Sequence, residues 1–188
     1  MIVRTVPVEE ATGEVAAIYD EERASSGYIP THARAMALNP AADRAFVALT
    51  RSVARPLGIR RYELVTLAAA HATGSRHCRL AHGVKSLSVF DEAQLERIAR
   101  DYRDAGLTDA EVEMMAFAER VATDAAAMTD ADSLRLRAAG FSDQEIVDIA
   151  IAASARVYLG RMLQALAVDV DEAPSLSEPL RAALVSGI

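Results

Sequence analysis

Capped, 3.6-residue periodicity constrains this chain more than any other feature. In "TDAEVEMMAFAERVATD", residues 108–124, apolar side chains fall at Val112, Met115, Ala116 and then Ala118 or Val121, which is the stripe of an amphipathic helix. Thr108 with Glu111 reads as a capping box, and Gly106 suits the end of the preceding helix. The same punctuation returns at Gly140, Ser142 and Glu145. Alanine is abundant, aromatics are only 5% and tryptophan is absent, a composition of closely packed helices rather than an aromatic-rich sheet. An all-α fold is expected, with helices near 9–23, 31–38, 41–55, 60–73, 75–88, 91–103, 108–124, 130–139, 142–167 and 177–185. Pro30, Pro40, Pro56 and Pro174 fall at the expected breaks.

An internal similarity appears at an offset of 82 residues: "LGIRRYELVTLAAA" at 57–70 resembles "AGFSDQEIVDIAIA" at 139–152. Gly58 pairs with Gly140 and Glu63 with Glu145, while Cys78 meets Gly160 and His82 meets Gln164. The reading is one domain over 1–188, with 1–39 as an N-terminal helical extension and 57–88 and 139–170 as related helical units. Only the first unit can carry a thiol site.

Several functions are disfavoured. The longest apolar runs stop well short of the roughly 20 residues that cross a bilayer. The N-terminal segment lacks the pattern of an export signal, which points to the cytoplasm. A formal charge of −7 argues against a phosphate-binding surface and hence against nucleic acid. The single cysteine cannot form an intrachain disulfide.

That cysteine lies in "HATGSRHCRLAH", residues 71–82, with three of the four histidines. Cys78 and His82 are four apart, so on a helix they share a face. Gly74 and Ser75 suit a helix break and N-cap. That places Cys78 in a first turn, where free N–H groups favour a thiolate, with Arg76 and Arg79 adding positive charge. Each residue also has a plain structural reading. A lone cysteine is commonly a small buried apolar residue, His82 an interface histidine, Glu63 a carboxylate near a helix start, and Ser75 a cap. His71, His77, Cys78 and His82 are suitable zinc ligand types, but their spacing puts them on different faces, and no metal is expected. His32 is read as structural, and Tyr62, Tyr158, Met114, Met115 and Met162 as core.

Written out, the constellation is E-x11-S-x2-C-x3-H, from Glu63 through Ser75 and Cys78 to His82. This resembles the AhpD-like alkylhydroperoxidases of the carboxymuconolactone decarboxylase superfamily, whose redox members have E-x11-C-x2-C-x3-H. "AMALNPAADRAFVAL" before the motif and the stretch from Leu107 to Ser154 after it are similar to the flanks of the peroxidase-related branch, over roughly residues 30–168. The resemblance implies an AhpD-like helical fold without a cofactor and a homo-oligomer. It implies Cys78 as the peroxide-attacking thiol, His82 and Glu63 as a proton relay, and His77 as an accessory histidine. Ser75 stands where the family has its resolving cysteine, so an external thiol must regenerate Cys78. The decarboxylase branch suggests the alternative of cysteine-independent acid/base chemistry by Glu63 and His82. A non-catalytic redox-sensing or binding protein is the third reading.

Overall fold

The computed structural model describes residues 1–188 and contains no strand. Ten α-helices follow one another: α1 Gly13–Ser26, α2 Thr31–Met36, α3 Pro40–Leu57, α4 Ile59–Ala72, α5 Arg76–Ser86, α6 Glu92–Asp101, α7 Asp109–Asp124, α8 Asp130–Ala138, α9 Asp143–Ala165 and α10 Glu178–Val185. The boundaries follow local chemistry. Thr108 and Ser142 close capping boxes with Glu111 and Glu145, as their spacing predicts, and Thr129 with Asp132 adds a third at the start of α8. Pro40 opens α3 behind the Asn39 cap. Pro56 does not end that helix, contrary to expectation: it sits in the last turn, and the break falls at Gly58, whose φ of 75° few other residues adopt.

Helix α4 is the centre of the molecule. It packs against α3, α5, α7 and α9, and Leu64, Val65, Leu67, Ala69 and Ala70 are completely buried. Met114 and Met115 of α7 lie in the same core, as their pattern predicts, whereas Tyr158 is half exposed on the outer face of α9. The C-terminal α10 closes the other side against α5 and α6. Arg79 of α5 fastens it there: this fully enclosed guanidinium donates to the carbonyl oxygens of Leu184 (2.8 Å), Ala99 (2.9 Å) and Leu67 (3.3 Å).

The helices carrying the two similar stretches, α4 and α9, contact each other. They continue differently. The first stretch breaks at Thr73–Gly74 before α5, while α9 runs unbroken through the matching positions to Ala165. Its Gln164 donates to the carbonyls of Thr73 (2.9 Å) and Gly74 (3.1 Å), tying the break down. Gly160 permits the contact, because a β-carbon there would sit 3.2 Å from that of Ser75.

Candidate active site

The break before α5 builds the site. Ser75 caps α5 by accepting a hydrogen bond from the Cys78 amide at 3.4 Å. Cys78 therefore lies in the first turn, and His82 follows one turn later on the same face. His82 Nδ1 is 2.6 Å from Glu63 Oε2 of α4, with both side chains almost wholly buried. Burial pushes the Glu63 carboxyl up to about 7, despite the opposing pull of Lys85 and Arg156. Burial, reinforced by Arg156, Lys85 and His77, pushes His82 well below its ordinary value. Near neutral pH the pair therefore gains or loses one proton at Glu63: with it, the neutral carboxyl donates to Nδ1 and Nε2 carries an N–H; without it, Nδ1–H donates to the carboxylate and Nε2 offers a lone pair.

Glu63 and Glu145, matched by the internal similarity, have unlike environments. Glu145 lies at the start of α9, in its capping box and paired with Arg61 at 2.8 Å. Glu63 lies deeper in α4 and faces His82.

Arg79 does not face the thiol, as its work is at α10, and Arg76 is exposed. The cation beside the thiol is Arg156 of α9, whose Nη1 is 3.8 Å from Cys78 Sγ and whose Nη2 is 3.5 Å from the Tyr62 hydroxyl. Burial lowers the Arg156 pKa, but attraction to Cys78, Tyr62 and Glu63 outweighs it and raises the value overall. Arg156 lies 78 residues from Cys78. Its only sequence signal is a charge inside the apolar run "IAIAASARVYLG", one turn before Gly160.

A cavity of about 250 Å³ adjoins this constellation, lined among others by His82, Arg156, Tyr62, Lys85, His32 and Met36. Cys78 does not line it and is 1% exposed. Arg156, Met36 and Leu159 line the cavity, and the last two also pack with Cys78 in a small apolar cluster. The sulfur therefore lies one layer of side chains behind the wall.

His32, read as structural from the sequence, is brought beside the site. It opens onto the same cavity, and its Nδ1 is 3.1 Å from His77 Nε2. Burial, then repulsion from His77, Lys85 and Arg156, lowers its pKa to about 3. His71 is exposed and belongs to another part of the surface.

No family model matches the sequence, and no curated protein matches it. Solved structures do. An AhpD-core, peroxidase-related protein from Ralstonia eutropha JMP134 superposes with a TM-score of 0.82 at 19% identity, covering 98% of this chain and 96% of the other. The fold is AhpD-like. A peroxidase-related protein from Silicibacter sp. TM1040 gives 0.79 at 24% identity over 90% of each chain. A cysteine-to-alanine variant of the debrominase Bmp8, in complex with 2,3,4-tribromopyrrole, gives 0.76 at 16% identity, covering 98% of this chain and 96% of that one. The AhpD-like scaffold here thus holds a buried thiol, a buried arginine and a glutamate–histidine pair.

Proposed function

We propose that the protein is a one-cysteine thiol peroxidase of the cytoplasm that reduces small hydroperoxides and is recycled by an external thiol. The observation that carries this reading is the Arg156 guanidinium 3.8 Å from the Cys78 sulfur, one turn from the His82–Glu63 pair. The thiolate is the nucleophilic form of cysteine, and the guanidinium stands where it can pair with that anion as the sulfur reacts. The Cys78 sulfur attacks the distal peroxide oxygen, so an S–O bond forms as the O–O bond breaks. His82 delivers its Nε2 proton to the departing alkoxide while the Glu63 proton moves to Nδ1. The thiol proton of the next cycle restores the pair. Cys78 sulfenic acid condenses with one external thiol to a mixed disulfide and water, and a second thiol releases Cys78. Ser75 cannot serve as the resolving group, because a hydroxyl forms no disulfide.

The cover over the sulfur makes the site selective for size. Hydrogen peroxide and short alkyl hydroperoxides pass when Arg156 or Met36 swings aside, and bulky ones do not. Peroxide consumption with a monothiol reductant, compared between wild type and Cys78→Ser, tests the reading: the substitution abolishes turnover if it is right.

A second reading has its own observation. His82, Tyr62, Arg156 and Lys85 line the cavity while Cys78 does not, which suits cysteine-independent acid/base chemistry on a small carboxylic acid held by the two cations. Turnover of such a substrate that survives Cys78→Ser marks this alternative. Self-association is part of the first proposal: an apolar groove between α3 and α9 exposes Leu49, Val147 and Tyr158, a surface suited to a second copy of the chain. A monomer in sedimentation at micromolar concentration contradicts that element.

A further inference from the structure

The start of α2, the first turn of α5 and the segment after α9 converge on one point. His77 Nε2 lies 3.1 Å from His32 Nδ1 and 3.8 Å from Asp171 Oδ2, and one ligand atom from each of the three residues falls within 4.8 Å of the others. We propose that His32, His77 and Asp171 form a binding site for a divalent first-row transition metal ion, zinc above all.

The spacing carries the argument. Nitrogen and oxygen ligands on a tetrahedral zinc ion, at about 2.0–2.1 Å from the metal, stand about 3.3 Å apart. The two measured separations bracket that value. A hydrogen bond between the two imidazoles accounts for the first distance alone. The second is too long for a hydrogen bond; the same Asp171 oxygen, which also accepts from the Thr31 hydroxyl at 3.0 Å, stands beside that nitrogen within reach of a shared ion. That carboxylate is held in place, since Thr31, the residue before His32, donates its amide to Asp171 Oδ2 at 3.0 Å. Anchoring of this kind by an outer neighbour is what orients ligands around a metal. Two imidazoles with one carboxylate suit zinc and its neighbours, whereas calcium and magnesium take oxygen ligands. Three protein ligands leave a position for water, and His32 also borders the cavity.

Two features limit the affinity. Ligation through Nε2 leaves the His77 proton on Nδ1, a buried atom without a partner in the chain. Lys85 and Arg156 add positive charge around His32. Neither removes a ligand atom. The site is independent of the thiol reading, because the Cys78 sulfur is not among the converging atoms.

Metal binding can be read without any assay of activity. Chelator-stripped protein is titrated with Co²⁺ alone, following its visible absorption, and the bound Co²⁺ is then displaced with Zn²⁺. One ion per chain is expected, with Asp171→Asn and His32→Gln each weakening binding at least tenfold while helical content without metal stays unchanged. Cys78→Ser and His71→Gln should leave the affinity within twofold of wild type. Should His32→Gln fail to fold, Asp171→Asn, which alters a partly exposed residue, decides alone. Absence of stoichiometric binding overturns the proposal, as does binding that withstands Asp171→Asn or that disappears in Cys78→Ser.

Discussion

Glu63 Oε2 and His82 Nδ1 lie 2.6 Å apart, joining the centre of α4 to the face of α5. The pair leaves His82 Nε2 without a hydrogen-bond partner in the chain on a residue that borders the cavity. If this pair moves the proton in peroxide reduction, His82→Ala should lower kcat/KM for hydrogen peroxide by about 10²-fold, the scale of a lost acid/base group. His71→Ala, which changes an exposed residue, should not. Steady-state assays with a monothiol reductant compare the two.

The Glu63 carboxyl also makes a prediction about stability. Its folded value of about 7 lies above the unfolded value of 4.5, so between these pH values the folded state binds more protons than the unfolded state. Stability from this group falls as pH rises from 4.5 to about 7, by at most about 1.4 kcal/mol per pH unit for one proton, and is level above that. His82, depressed by burial, contributes the opposite slope below 6.5, which masks the effect in the wild type. The stability of Glu63→Gln relative to wild type should therefore rise between pH 4.5 and 7 in urea unfolding. A difference independent of pH contradicts the raised carboxyl.

Arg156 separates function from stability. Arg156→Met removes the cation beside Cys78 and the Tyr62 contact, and should slow peroxide reduction at least tenfold. Stability should fall only modestly, because the burial cost that methionine avoids offsets much of the attraction to Cys78, Tyr62 and Glu63 that it forfeits. Arg79→Met should behave in the opposite sense. It removes the side-chain donor from the carbonyls of Leu184 and Ala99 and a longer contact to that of Leu67 inside α4, and should cost about 3 kcal/mol or more, as lost hydrogen bonds to a buried charged group do. Its effect on the chemistry should be small. Chemical denaturation alongside kinetics resolves the pair.

The helices were readable because their ends are written locally. Thr108–Glu111, Ser142–Glu145 and Asn39–Pro40 each specify a terminus within four residues. The motif from Glu63 to His82 was equally legible, since one helix turn and one helix-to-helix contact bring it together. What the sequence conceals depends on distant chain. Arg156 reaches Cys78 from α9, 78 residues away, where Gly160 lets that helix lie close to the start of α5. His32 and Asp171 meet His77 only once α2 and the segment after α9 converge. Arg79, adjacent to the cysteine in sequence, turns away because three backbone carbonyls need a donor there. No spacing rule distinguishes it from an arginine that faces the thiol.

Ser75 offers a gain-of-function check. It precedes Cys78 by three residues across the first turn of α5, where α-carbons are about 5–6 Å apart and within the reach of a disulfide. Oxidised Ser75→Cys should lose two thiols per chain without forming covalent dimers, and should turn over with a dithiol. Failure to form the bridge would show that the tight packing of Ser75 against Gly160 prevents the family's second cysteine from working in this chain.

The most direct test is the intact mass of the protein after one equivalent of hydrogen peroxide, before and after addition of a monothiol. Oxidation of Cys78 to sulfenic acid predicts a gain of about 16 Da, one oxygen atom, that the thiol reverses and that Cys78→Ser does not show. Peroxide consumed at an undiminished rate by Cys78→Ser, or a wild-type mass that stays unchanged, contradicts a peroxidase centred on Cys78.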